Sequence, residues 1–135
     1  MKKWLLQLFI VPAIIFGIGS CSDKGGSGGD EANLVVTLNP PAGSTQAAAP
    51  QIDFPLTVSI TSTMPPQGVT IDVKAAPDGS ATNFFTESKP STAVNNNFTI
   101  TGTPAGVVCV TTVTVTSKTK ATNTVTLSYR YTRKP

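Results

Sequence analysis

From residue 33 to residue 132 the chain repeats one pattern. Short stretches alternate apolar and polar side chains with a period of two, and clusters of Pro, Gly and Asn separate them. That period is the signature of a strand buried on one face. The first predicted strand runs from Asn33 to Asn39, with Leu34, Val36 and Leu38 on one side. Pro40-Pro41-Ala42-Gly43 breaks it, and the Ala-, Gly- and Ser-rich stretch to Pro50 reads as a loop. The second runs from Phe54 to Ser62 and directs Phe54, Leu56, Val58 and Ile60 to one face.

After the turn Pro65-Pro66-Gln67-Gly68, Val69, Ile71 and Val73 mark the third strand. Pro77-Asp78-Gly79 turns the chain again. A short fourth strand is expected at Asn83 to Glu87, then a polar loop over Lys89 to Asn96 that crosses between sheets. Phe98 and Ile100 mark the fifth, and Gly102-Thr103-Pro104-Ala105-Gly106 ends it. The sixth spans Val107 to Ser117, with Val107, Cys109, Thr111, Val113 and Val115 facing inward. A polar hairpin loop, Lys118 to Asn123, leads to the last strand, where Val125, Leu127, Tyr129 and Tyr131 share the apolar face. Seven short strands joined by turns in about 100 residues predict an all-β antiparallel sandwich. No internal repeat and no second domain is visible.

Composition narrows the class. The chain has 135 residues, which suits one domain. Only 13% of residues are charged while 21 are Thr, so the surface must rely on uncharged polar groups. Eleven Pro and eleven Gly beside that threonine content argue against a helical bundle or a doubly wound α/β enzyme. The chain has no His, which removes the commonest general base and metal ligand.

The first residues read as an address. Met1-Lys2-Lys3 is a basic start, and Trp4 to Ile18 is an apolar run broken only by Gln7, Pro12 and Gly17. It is shorter than the ~20 residues a spanning helix needs, and it has the three-part layout of a secretory signal. Its last residues, Ile18-Gly19-Ser20-Cys21, resemble the lipobox of bacterial lipoproteins. The resemblance implies cleavage between Ser20 and Cys21, a diacylglyceryl group on the Cys21 sulfur, and acylation of the new amine with a palmitate-type chain. Each buried CH₂ contributes ~0.8 kcal/mol, so three chains make a durable anchor. Ser22 after the cysteine implies outer-membrane delivery, and Asp23, Asp30 and Glu31 resemble the acidic export signals of Bacteroidetes surface lipoproteins.

Residues 1–20 are therefore a signal peptide, and residues 21–32 a lipidated cysteine with a Gly- and Ser-rich tether. Residues 33–135 form the domain. Loss of Lys2 and Lys3 leaves eight basic residues against seven acidic ones. No basic stripe remains for nucleic acid.

Strand number and length resemble immunoglobulin-like and fibronectin type III-like sandwiches. The chain departs from the immunoglobulin pattern in three respects. It lacks the cysteine pair, its one Trp is Trp4 in the signal, and Val107 stands where a tyrosine corner would precede Cys109.

Few residues offer chemistry. Cys109, the sole cysteine of the domain, sits on an inward strand position and behaves as a small hydrophobe. Without His no base is at hand to form its thiolate. Asp53, Asp72, Asp78 and Glu87 are scattered over turns and strand edges and do not make a calcium loop. No catalytic residue, metal ligand or cofactor is expected beyond the covalent lipid on Cys21. Phe84-Phe85 is the one adjacent aromatic pair, and alternation sends the two rings to opposite faces. One of them is a candidate ligand contact. Asn97-Phe98-Thr99 matches a glycosylation sequon and is read as chance.

The expectation is a non-catalytic, lipid-anchored module of the cell envelope with an interaction or structural role. A carbohydrate-binding module using Phe84 or Phe85, and a subunit that assembles by strand addition, are the alternatives. Expected partners are the membrane and an envelope protein or glycan.

Overall fold

The computed structural model describes residues 31–135. The signal segment, Cys21 and the tether up to Asp30 lie outside the described residues. The described chain forms β1 (Val36–Asn39), β2 (Phe54–Ile60), β3 (Val69–Pro77), β4 (Phe85–Ser91), β5 (Asn95–Ile100), β6 (Val108–Ser117) and β7 (Thr124–Thr132). All the ladders are antiparallel. A three-stranded sheet has the order β1-β2-β5, and a four-stranded sheet the order β4-β3-β6-β7. This is the all-β, seven-stranded antiparallel sandwich that the alternation predicts.

The core is the set of alternate positions turned inward from both sheets. Leu38, Val58 and Asn96 share one row of the three-stranded sheet. Val73 and Val113 share a row of the four-stranded sheet, and Ile71 and Val115 the next. Val58, Val69, Ile71, Val73, Ile100 and Val115 are completely sealed from solvent. Each such side chain contributes about 1.5–3 kcal/mol by leaving water.

Several boundaries differ from the alternation. The first strand starts at Val36, not Asn33. The N–H groups of Leu34 and Val35 go to side chains, Asn123 Oδ1 at 2.9 Å and Ser62 Oγ at 3.0 Å. β3 continues to Pro77 because Ala75 and Ala76 are small and keep the ladder with Thr111 and Val110. Val107 lies outside β6 and is 39% exposed, so the inward set begins at Cys109.

The largest correction concerns Lys89 to Asn96, expected to be a loop. β4 runs on to Ser91 and β5 begins at Asn95, so only residues 92–94 cross between the sheets. The pattern misled because β4 turns charged side chains inward: Glu87 lies opposite Val73 and Lys89 opposite Ile71. Asn96 is likewise a polar residue in a buried row. Its amide donates to the Ala93 carbonyl at 2.9 Å and accepts from the Ser91 hydroxyl.

The segment after β1 is also more ordered than a loop. From residue 43 to residue 49 it leaves the three-stranded sheet and runs parallel to the outer edge of β7. Gly43 N–H donates to Ser128 O, Gln46 N–H to Arg130 O and Ala49 N–H to Thr132 O, at 2.7, 2.8 and 3.0 Å; Arg130 N–H donates back to Ser44 O at 2.9 Å. The antiparallel order sorts the connections into two ends. Residues 31–34 share one end with the connections at 61–68, 92–94 and 118–123. The other end gathers 40–53, 78–84, 101–107 and the C-terminus.

Glu31 and Ala32 are tied to the domain. The Glu31 carboxylate accepts from Asn123 Nδ2 at 2.6 Å and from Ser117 Oγ at 2.9 Å, and Asn123 Nδ2 also donates to the Ala32 carbonyl.

Two turn glycines test the backbone. Gly68 and Gly79 both have φ near +80°, a region that costs other residues about 1–2 kcal/mol. A Cβ on Gly79 meets open space, whereas one on Gly68 would lie 2.5 Å from the Ser91 carbonyl oxygen. Gly79→Ala should lower unfolding stability by about 1–2 kcal/mol, and Gly68→Ala by clearly more. Urea titration of the two variants checks this, and equal losses would contradict the close approach of the 65–68 turn to β4.

Candidate functional site

The residues with chemical potential stand apart in the fold. Asp72 projects from the outer face of β3, and Asp53 is exposed just before β2. Asp78, in its turn, pairs with Arg130 Nε at 3.1 Å; both side chains are about half exposed, so the pair contributes little stability. Glu87 sits on the inward side of the β4 edge. Among the described residues no group of three or more acidic or sulfur ligands converges on a metal position. Cys109 is fully buried on β6, and burial pushes its thiol above the ordinary value. Its side chain packs within the core cluster.

Phe84 and Phe85 are both half-buried and packed against the core cluster. Phe85 starts β4 opposite Ala75, and Phe84 donates its N–H to the Ala75 carbonyl at 2.9 Å. The irregular backbone at the strand start lets both rings lean on the core, although they are adjacent in sequence.

Three aromatic rings and two unpartnered hydroxyls gather at the other side of the sandwich. Phe54 lies 4.6 Å from Tyr131 between centroids, and Tyr129 lies 5.9 Å from Tyr131. The Tyr131 hydroxyl pairs with Thr103 Oγ1 at 2.9 Å. The Tyr129 hydroxyl and Thr111 Oγ1 are buried without a hydrogen-bond partner. Segment 46–51 passes over these rings and leaves a cleft of about 150 Å³, enough for one small ring. The rings beneath are only 1–7% exposed, so they offer little face to a ligand. The cleft depends on the 43–49 segment lying along β7, for which the local sequence carries no period.

The two outer faces of the sandwich differ in character. On the four-stranded sheet, Thr70, Thr112, Thr114, Thr116, Thr124 and Thr126 alternate with buried residues, joined by Thr116–Thr124 and Thr114–Thr126 hydroxyl contacts at 3.0 and 3.4 Å. Asp72, Lys74 and Arg130 put charges of both signs among them. On the three-stranded sheet no residue of β1, β2 or β5 is charged. Its outer rows are Thr37, Ser59 and Asn95, then Asn39, Thr57 and Asn97, then Pro55 and Thr99. Thr57 Oγ1 donates to Asn97 Oδ1 at 2.9 Å and Ser59 Oγ to Asn95 Oδ1 at 2.7 Å. Asparagine and threonine spaced by two were visible in the sequence, but the three strands that share this face are not consecutive.

The four sheet edges carry distinct protections. β4 has Pro90, which lacks an N–H, and the inward charges Glu87 and Lys89. Lys89 Nζ crosses the gap between the sheets, donates to the Asn97 carbonyl of β5 at 3.1 Å and lies 4.3 Å from the Phe98 ring centre. β7 is covered by residues 43–49 along its second half. β1 is only four residues long.

Tyr129 and Tyr131 are the only tyrosines, so their ionisation can be followed directly. Burial pushes Tyr131 up from 10.0 to about 12, and Tyr129 also upward. Below pH 10 both phenols are protonated in the folded and unfolded chains. As pH rises toward 12 the unfolded chain gives up protons that the folded chain keeps, so stability falls across that window. Tyrosinate absorbance should therefore rise late and together with loss of the β signal in circular dichroism; an ordinary midpoint near 10 in the folded protein would contradict the burial. Comparison with protein-family models, with curated proteins and with solved structures finds no match for this chain.

Proposed function

We propose that the protein is a lipid-anchored β-sandwich of the bacterial cell envelope, acting as a non-catalytic interaction or structural module. The observation that carries this reading is the segment Ile18-Gly19-Ser20-Cys21, which follows a basic start and an apolar run and precedes a Gly- and Ser-rich tether. Cys21 is the lipid-bearing residue, and Ser20-Cys21 the cleavage site. The anchor sits in the outer membrane of a Gram-negative cell, and residues 22–32 lead from it to the domain.

The described domain is an antiparallel sandwich of one three-stranded and one four-stranded sheet. The resemblance read from strand number and length is to immunoglobulin-like and fibronectin type III-like sandwiches. It is supported by the position of β4, which pairs with β3 in the four-stranded sheet and leaves β1, β2 and β5 together in the other.

A second reading, a carbohydrate-binding module, is favoured by the charge-free outer face of the three-stranded sheet. Assembly by strand addition through the first or last strand has less support, because residues 43–49 already bond along β7 and β1 is only four residues long.

Intact-mass measurement and membrane partition of the wild-type chain and of Cys21→Ala, produced in a Gram-negative host, test the anchor. The expected result is a mature chain that starts at Cys21, carries the mass of a diacylglyceryl group and an acyl chain, and partitions with membranes. Cys21→Ala should lose the lipid mass and the partition. An unmodified soluble wild-type chain would overturn the lipoprotein reading and leave a secreted binding protein.

A further inference from the structure

The geometry points to the outer face of the three-stranded sheet as a binding surface for a neutral, hydroxyl-rich glycan chain. The side-chain amides of Asn95 and Asn97 serve as its principal hydrogen-bond donors. The inference deepens the carbohydrate-binding reading and moves the contact away from Phe84 and Phe85, which pack on the core.

The first observation is charge. None of β1, β2 and β5 contains Asp, Glu, Lys or Arg, whereas the strands of the opposite sheet hold Asp72, Lys74, Glu87, Lys89 and Arg130. The strands of this face carry no charge of their own, and the Lys89 ammonium that reaches the β5 edge from β4 is held on the Asn97 carbonyl. A neutral polyhydroxyl chain meets groups of its own kind, hydroxyls and amides, and no ion has to be desolvated to bring the two together.

The second observation is orientation. Asn95 Oδ1 accepts from Ser59 and Asn97 Oδ1 accepts from Thr57. Each amide is thereby fixed with its oxygen turned toward β2. Neither Nδ2 donates to another group among the described residues, and both side chains are exposed. An amide nitrogen carries two donors, so the pair offers up to four, held in place before any ligand arrives. Pre-organisation of this sort lowers the cost of binding.

The third observation is shape. The three strands span about 10 Å across, and β2 from Pro55 to its end extends about 20 Å along the chain direction. Side chains on one face recur at about 6.8 Å along each strand. The patch is a shallow strip with Thr37, Asn39, Thr57 and Thr99 as further hydroxyl and amide contacts. It suits one extended chain lying along the strands, not a compact ligand in a pocket. Without an exposed ring to stack on, each contact is weak, so a single face binds in the millimolar range, about −4 kcal/mol.

The test is side-chain amide NMR of the full chain in detergent micelles, titrated with the neutral hexasaccharides maltohexaose, cellohexaose and mannohexaose to about 10 mM. The expected result is perturbation of the Asn95 and Asn97 amide signals by at least one of the three. In the doubly substituted Asn95→Asp, Asn97→Asp chain the affinity should fall at least tenfold. The aspartates keep the oxygen that Ser59 and Thr57 bond, so thermal unfolding should show the fold retained. Ser88→Asp, on the outer face of the other sheet, should bind as the wild type does.

Absence of perturbation by all three sugars would overturn the glycan assignment. It would leave the anchored module standing, because lipid mass and partition are measured independently. Perturbation centred on Phe84 and Phe85 would overturn the choice of face while keeping the carbohydrate reading. Equal loss in Ser88→Asp would show a bulk charge effect and overturn the assigned donors.

Discussion

The constraint on which the structure depends is the register of the inward rows. Every described strand except the edge strand β4 buries alternate residues, so a shift of one position would turn Val58, Ile71, Val73, Val113 and Val115 to water and bring Ser59, Asp72 and Thr114 into the core. Each sealed aliphatic side chain is worth about 1.5–3 kcal/mol, and a slip exposes a whole row together. The long ladder between β3 and β6, nine residue pairs from Val69–Ser117 to Pro77–Cys109, fixes the four-stranded sheet. β2, paired on both sides, does the same for the other. Burial of Cys109 and the two tyrosines follows from that register, and so does the outward position of nearly every Thr on β6 and β7.

A sandwich with a good core still has four open edges, and among the described residues side chains and backbone cover those of β4, β5 and β7, while β1 is only four residues long. The flank formed by β4 and β5 is bridged by Lys89. Its stem lies on the inward side opposite Ile71, and its ammonium reaches the Asn97 carbonyl over the Phe98 ring. The charge therefore stays near solvent while the methylenes cover apolar surface. The other flank is closed by backbone, since residues 43–49 supply donors and acceptors to the outer edge of β7. The two devices differ because only residues 92–94 separate β4 from β5, whereas the fourteen residues 40–53 connect β1 to β2 and have room to run along β7.

What was legible in the sequence was what obeys a local period. Phe54 to Ile60, Cys109 to Ser117 and Thr124 to Tyr131 alternate cleanly, and their strands and buried faces were readable from the residues. So was the separation of the Asp72, Asp78 and Glu87 carboxylates. The stretch Lys89 to Asn96 was not legible as strand, because Lys89 and Asn96 point inward for reasons that involve other residues. Lys89 needs the β5 carbonyl, and Asn96 needs Ser91 and Ala93. The parallel course of residues 43–49 depends on β7, some eighty residues away, and no window of the sequence contains both partners. The candidate binding face had the same difficulty, since β1, β2 and β5 are brought together only by the order of the sheet.

The separation of charge between the two sheets has a physical consequence for recognition. A face with Asp72, Lys74 and Arg130 can attract or repel a charged partner over roughly a Debye length, about 8 Å in physiological salt. The strands β1, β2 and β5 carry no charge of their own, so their face acts chiefly at hydrogen-bonding distance. Its selectivity must then come from the placement of donors and acceptors, which the Thr57–Asn97 and Ser59–Asn95 bonds orient. Weak contacts of that type gain from repetition. A polymer with many equivalent hydroxyls, met by many copies held at one surface, binds by effective concentration and not by the strength of any single site. In the proposed reading the lipid on Cys21 and the uncharged face are therefore complementary: the anchor supplies the density of copies that a shallow polar surface needs in order to hold a chain at all.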